Sequence, residues 1–126
     1  MNQLKNKIKS IKELAAIARS ARRQGRRVVH CHGVFDLVHP GHIVHFQEAR
    51  KHGNLLVVTV TPDRWVNKGP GRPLFAQQLR MEHLAALAMV DYVALNEWPT
   101  AIKTIEMLRP HFYVKGSDYA APKSDV

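Results

Sequence analysis

One cysteine, Cys31, is all that the 126 residues contain, so no internal disulfide can close and a reducing compartment is the simple expectation. No apolar run is long enough to cross a bilayer. The amino-terminal region, with lysines spread through it, also lacks the uninterrupted apolar stretch of a signal peptide. Both absences point to a cytoplasmic chain that does not engage membranes. There is no G-x-S-x-G for a serine hydrolase and no G-x-x-x-x-G-K-[ST] for a P-loop. GPGRP at 69–73 is not a dinucleotide fingerprint, because its glycines do not open a helix directly after a strand. Acidic residues are scarce as well, 10 against 19 Lys and Arg, for a net charge of +9.

That imbalance is local. Residues 1–27 hold Lys5, Lys7, Lys9, Lys12, Arg19, Arg22, Arg23, Arg26 and Arg27 against Glu13 alone, and the rest of the chain is nearly neutral. The same segment places Leu4, Ile8, Ile11, Ala15 and Ala18 at helical spacing. It therefore reads as an amphipathic helix over residues 1–25 with a solvated cationic face, in preference to a nucleic-acid-binding arm.

What is present in quantity is apolar sequence, 45% of residues, enough to build one compact domain over 26–126. Strand and helix patterns alternate through it. Arg27–Gly33 reads as a buried strand, Pro40–His52 as a helix and Leu55–Val60 (LLVVTV) as a second strand. A short helix after Pro62, a Gly/Pro loop from Lys68 to Pro73, and a helix over about 75–89 follow. The pattern closes with a strand Tyr92–Leu95, a helix Ala101–Leu108 and a strand Phe112–Lys115. The expected fold class is α/β: a Rossmann-like open parallel sheet flanked by helices, whose ligands lie beyond the carboxyl ends of the strands.

Histidine is concentrated where that rule puts a ligand. Five of the eight fall between positions 30 and 45, in HCHGVFDLVHPGHIVH. After the first strand and the loop Val34–Val38, Pro40 suits the first helical position, so His39 reads as the N-cap and His42 as the third helical residue. Both rings can then reach the space off the helix start, where free N–H groups and the helix dipole favour an anion, and Gly41 adds no side chain to obstruct it. A zinc site is the weaker alternative: His39, His42 and His45 are spaced i, i+3, i+6, with His45 turned well round the helix, and no Cys or carboxylate completes a ligand set. His30 and His32 read as ordinary strand packing. Cys31 between them has no exposed elbow on which to act as a nucleophile.

With H-P-G-H at 39–42, the chain resembles the cytidylyltransferase-like nucleotidyltransferases, whose signature is H-x-G-H at the start of the first helix. Three segments carry the likeness in order: GVFDLVHPGH at 33–42, NKGPGRPLF at 67–75 with Arg80 following, and VKGSDY at 114–119. They are most similar to the adenylyltransferase domain that makes ADP-heptose from heptose 1-phosphate, and to related domains fused to a sugar kinase. The resemblance implies transfer of a nucleotide, ATP favoured, to a sugar 1-phosphate with release of pyrophosphate and with Mg²⁺. A cytidylyltransferase acting on a polyol or amino-alcohol phosphate is the alternative, and a non-catalytic nucleotide-binding or partner-docking domain the second. A homodimer and a fused or separate sugar kinase are the partners it suggests.

The resemblance also assigns residues. His39 and His42 contact the phosphates and stabilise the transition state, and Gly33, Val34 and Phe35 present backbone N–H groups. Asp36 either fixes that loop or engages magnesium. Lys68 and Arg80 counter phosphate charge, as does Arg72 toward the acceptor phosphate; the plain alternative for all three is a surface cation. Lys115, Gly116 and Asp118 surround base and ribose. Relatives continue past this loop to a further strand and a Ser/Thr-rich helix start that grips the triphosphate, whereas only residues 120–126 follow here. The expectation is a chain that folds but turns over poorly, and a longer form that is much more active.

Overall fold

A computed structural model describes residues 2–66 and 69–115. Its centre is a parallel sheet of five strands, β1 (Ile8–Lys9), β2 (Val28–Gly33), β3 (Leu55–Val60), β4 (Tyr92–Leu95) and β5 (Phe112–Lys115), in the order β1-β4-β3-β2-β5. Around it lie α1 (Asn2–Lys7), α2 (Ile11–Arg23), α3 (Pro40–Arg50), α4 (Gln77–Ala85) and α5 (Ile102–Leu108), with a 3₁₀ turn at Asp63–Trp65. The Rossmann-like α/β expectation is met.

β3 is buried at every position, as a strand inside a parallel sheet covered on both faces must be. Alternation along the strands feeds two cores. Val29, Cys31, Leu56, Val58 and Val60 gather with Phe46 and Ala49 of α3 and Met81 and Leu84 of α4. Val28, Leu55, Val57 and Ala94 gather with Ile11, Leu14 and Ala18 of α2 and Leu108 of α5. From β2 the chain passes to β3 and β4 on one side, then returns to place β5 on the other. Strand order therefore reverses between β2 and β5, and the crevice at their carboxyl ends is where such sheets bind ligands.

The amino-terminal segment is not the single helix expected over 1–25. Ser10 is extended (φ −77°, ψ 164°), so α1 cannot run through it. Its Oγ accepts the Glu13 N–H at 3.0 Å, and the Glu13 carboxylate accepts the Ser10 N–H at 2.8 Å. This reciprocal cap starts α2 afresh. Ile8 and Lys9 leave the helix and pair with Val93 and Ala94 at the sheet edge. Leu4 and Ile8 pack against the first core and Ile11, Leu14, Ala15, Ala18 and Ala21 enter the second. Two of the segment's cations hold it to the body: Lys7 Nζ donates to the Leu87 carbonyl at 3.1 Å and Arg22 Nη1 to the Leu108 carbonyl at 2.5 Å. Ser10→Ala is expected to cost about 1 kcal/mol, read as a lower urea midpoint. An unchanged midpoint would mean that the β1 pairing alone sets the break.

α4 is also shorter than the helix expected over about 75–89. Ala76 is extended (φ −61°, ψ 156°), and the residues before it are tied to a loop on the sheet rim, which fixes where the helix can begin.

Candidate functional site: a histidine-capped helix start on the sheet rim

His39 takes the extended geometry demanded of a residue before proline (φ −131°, ψ 173°), and Pro40 opens α3. The two histidines cap the helix for each other. His39 Nδ1 accepts the Gly41 N–H at 3.1 Å, and His42 Nδ1 accepts the His39 N–H at 3.2 Å. Their rings lie face over face, with centroids 3.9 Å apart and planes at 31°. Because both Nδ1 atoms accept, each neutral ring carries its proton on Nε2. His42 is buried against the edge of Phe35, whereas His39 is exposed. The helix start is thus a positive dipole end carrying two imidazoles.

Gly41 has a more specific role than leaving the approach open. A Cβ there would lie 2.9 Å from His39 Cε1 and 3.1 Å from its Nδ1, so the glycine makes room for the His39 ring. Gly41→Ala is expected to displace that ring and lower turnover about tenfold. The melting temperature should stay level or rise, since alanine favours the helix by roughly 0.5–1 kcal/mol. Parallel loss of both would show instead that the substitution damages α3 as a whole.

The loop between β2 and α3 is held by side chains from the 72–80 segment. Phe35 is left-handed (φ 52°), a strained state for a phenylalanine, and its ring is buried against Phe46 with centroids 5.3 Å apart. Only its backbone is therefore left to meet a phosphate. The Asp36 carboxylate has no exposed surface. It accepts the N–H groups of Leu74 (2.6 Å) and Phe75 (2.8 Å) and pairs with Arg72 Nε at 3.1 Å, while Arg72 Nη2 donates to the Asp36 carbonyl. Burial pushes this carboxyl up, but the Leu74 and Phe75 N–H groups and the Arg72 guanidinium outweigh burial and hold it below the usual carboxylate range. Of the two roles expected for Asp36, fixing the loop is the one the structure displays: Oδ2 accepts from Arg72 and Leu74 and Oδ1 from Phe75.

Arg80 is wholly buried. Its Nε donates to the Phe75 carbonyl (3.0 Å), Nη1 to the Val34 carbonyl (2.8 Å) and Nη2 to Asp63 Oδ1 (2.7 Å). Neither Arg80 nor Arg72 stands as an open cation, nor is either an ordinary surface residue: together they clamp the loop that the sequence assigned to phosphate. Arg80, expected to counter phosphate charge, thus lies inside the fold with each of its three guanidinium nitrogens donating to a protein oxygen. Asp63 was not foreseen, and a carboxylate seventeen residues before its arginine has no local signal in the sequence.

Gly33 ends β2, and Lys115 ends β5 in register with His32. Among the described residues, two clefts open at this end of the sheet. One, of about 470 Å³, is lined by Pro62, Asp63, Arg64, Gln77, Asn96 and Glu97. The other, of about 380 Å³, lies where β2 and β5 meet the approach to α5, with His32, Tyr113 and Lys115 among its walls. Lys68, Gly116 and Asp118 lie outside the described residues, as does the segment after Tyr119 on which the expectation of poor turnover rests. Among the described residues no group of three or more His, Cys, Asp or Glu is placed to hold a metal ion.

A family model described as Cytidylyltransferase-like matches residues 30–125. The bifunctional protein HldE of Geobacter sulfurreducens is 44% identical over 115 residues, covering 90% of this chain and 24% of that protein. The bifunctional protein HldE of Magnetococcus marinus is 47% identical over 98 residues, 76% of this chain and 20% of its own length. The chain thus spans about a quarter of these relatives. The solved structure of a lipopolysaccharide core biosynthesis protein from Thermoplasma volcanium superimposes with a TM-score of 0.63 at 31% identity, covering 70% of this chain and 72% of that one.

Proposed function

Because the chain belongs to the cytidylyltransferase-like family, we propose that it is a nucleotidyltransferase joining ATP to a sugar 1-phosphate, giving an ADP-sugar and pyrophosphate. The observation that carries this reading is the start of α3, where His39 and His42 cap the helix reciprocally at the sheet rim with both ring protons on Nε2. Such a site offers donors to phosphate oxygens and holds neither a covalent nucleophile nor a general base. None is needed, because the acceptor phosphate is already an anionic nucleophile. One of its oxygens attacks the α-phosphorus of ATP in line, the bond from that phosphorus to the bridging oxygen breaks, and pyrophosphate leaves with the electron pair. The work of the protein is positioning and stabilisation of the charge that grows on the α-phosphoryl oxygens.

The Nε2–H groups of His39 and His42 supply that stabilisation, and the backbone N–H groups of Gly33 to Phe35 orient the phosphates. Arg72, Arg80 and Asp36 are positioning residues that hold this loop. Lys68 adds charge, and Lys115, Gly116 and Asp118 surround the base and ribose. Magnesium fits as an ion arriving on the triphosphate, whose charge it neutralises, since the Asp36 carboxylate beside the loop already accepts from Leu74, Phe75 and Arg72. A sugar kinase, fused or separate, is the partner that would supply the acceptor, and the cytoplasm the compartment that supplies ATP. Pyrophosphate release from each of the four nucleoside triphosphates against a panel of sugar and polyol phosphates tests the reading. ATP with a sugar 1-phosphate should stand out. Preference for CTP with a polyol phosphate would move the chain to the cytidylyltransferases, and no release with any pair would leave a binding domain.

A further inference from the structure

Each helix that leads into a strand of a parallel sheet carries the chain back to the amino ends, so the turns before β2, β3 and β5 meet at the end of the sheet opposite the histidine rim. Those turns are rich in cations. Arg22, Arg23, Arg26 and Arg27 come from the first, Arg50, Lys51 and His52 from the second, and Arg109 and His111 from the third. The first group is continuous in sequence; folding adds the other two to it.

Cations at helix ends have an ordinary use, which is to meet the last carbonyls and the negative end of the dipole. Part of this set is so used. Arg22 Nη1 donates to the Leu108 carbonyl, Arg50 Nη1 to the Gly53 carbonyl at 3.0 Å and Arg27 Nε to the His52 carbonyl at 3.4 Å, while Lys51 pairs with Glu48 and Arg50 with Asp91. Other arginines are left over. Arg19, one turn before Arg23 on α2, Arg23 itself, Arg26 and Arg109 are all exposed, and among the described residues none of their guanidinium groups makes a hydrogen bond or ion pair. Arg22 feels this crowding: burial first, then the charges of Arg109 and Arg19, pull it below the ordinary arginine value. Like charge held together at one end of a fold costs stability, and an anionic partner relieves it.

Beside Arg26 the same end opens a cleft of about 300 Å³, lined by the apolar Ile17 and Leu55 and by Tyr92 as well as by Lys7 and Asp91. That volume is at the bottom of the range for ligand sites and suits one protruding side chain. At the start of β5, exposed Phe112 has the His52 ring 4.6 Å away and the Arg27 guanidinium 6.0 Å from its centroid. Arginine forks set among aromatic and apolar contacts are the composition of a protein interface. Nucleic acid fits less well, because its binders neutralise roughly six to ten phosphates, and the open arginines here are fewer and share their cleft with Asp91.

We propose that the amino end of the sheet is a docking surface for a partner protein, on which the carboxylates of an acidic segment meet Arg19, Arg23, Arg26 and Arg109 while one apolar side chain of that segment enters the cleft. Guanidinium forks take carboxylates two oxygens at a time, so the contact is directional as well as attractive. Docking here leaves the histidine rim open to substrates, and the proposal stands apart from the nucleotidyltransferase reading.

The test titrates the full chain at low salt into two fluorescein-labelled peptides of equal glutamate content, one with a central leucine and the other with serine in its place. Labelled oligothymidylate and phosphatidylglycerol vesicles are run beside them. The leucine peptide should bind about tenfold more tightly than its serine twin. Arg23→Glu/Arg26→Glu should weaken it by about tenfold or more, whereas Lys12→Glu/Lys103→Glu, which reverses exposed charge at the rim ends of α2 and α5, should stay within about twofold of wild type. Melting temperatures measured on both double variants separate lost contact from lost fold, and Arg26→Glu alone is read if the first double variant melts early. Equal affinity for the two peptides, binding of neither, or equal loss in both variants overturns the proposal. Tighter binding of oligothymidylate or of the vesicles overturns it too, and would make this end a nucleic-acid or membrane contact.

Discussion

Acidification from pH 7 to pH 4 is expected to remove several kcal/mol of stability, enough to bring a domain of ordinary stability close to unfolding. The cause is the pair of neutral histidines under the rim. Both have folded values depressed by burial below the unfolded 6.5, to about 3 for His30 and about 4 for His32. Between those values and 6.5 the unfolded chain takes up protons that the folded chain refuses, so stability is fully present above pH 6.5 and falls as the pH drops through that window. Each ring contributes roughly 1.4 kcal/mol per pH unit within it. Asp36, held below its ordinary value, adds a further loss once the pH falls below the usual carboxylate range. Urea midpoints from pH 7.5 to 4.5 check this. The His30→Leu/His32→Asn double variant should have a much flatter profile above pH 4.5, and an equally steep one would place the acid sensitivity elsewhere.

The second large effect is catalytic. His42→Ala is expected to lower kcat by about 10² to 10⁴, by deleting a donor to the charge that develops at the α-phosphorus. It should also cost about 1 kcal/mol of stability, because His42 Nδ1 caps the His39 N–H and its ring packs on Phe35. His42→Asn separates the two roles. Its short amide oxygen can take over the cap, so the melting temperature should recover, but it does not place a donor where Nε2 stands, and kcat should stay low. Turnover that returns together with stability would make His42 a cap and nothing more.

The strand and helix order was legible because periodicity in LLVVTV and in the helix patterns reports burial directly, and the His-Pro-Gly-His start was legible because proline fixes both its own position and that of its predecessor. What escaped reading was long-range. Arg80 reads as a cation on a helix, yet its partners Val34 and Asp63 meet it only once the sheet has formed. That Asp36 fixes its loop could not be read until Leu74 and Phe75 were seen to donate to it. The break after α1 was within reach: Ser10-Ile11-Lys12-Glu13 is a capping box, overridden by the apolar spacing that ran across it. So was the polar row that the Thr59 hydroxyl forms with the His30 and His32 rings, since His30 and His32 alternate along β2, Thr59 pairs with His32 on β3, and Thr61 follows just past the end of β3.

The central claim is that the start of α3 with the preceding loop is a triphosphate cradle, and it is tested most directly by titrating ¹⁵N-labelled chain with ATP and magnesium and following backbone and imidazole resonances. The account predicts saturable shifts centred on Phe35, Gly41 and the Nε2 atoms of His39 and His42, reduced in His42→Asn, with α2 unmoved. Shifts confined to the lysines and arginines of residues 1–27, or none at α3, would contradict it.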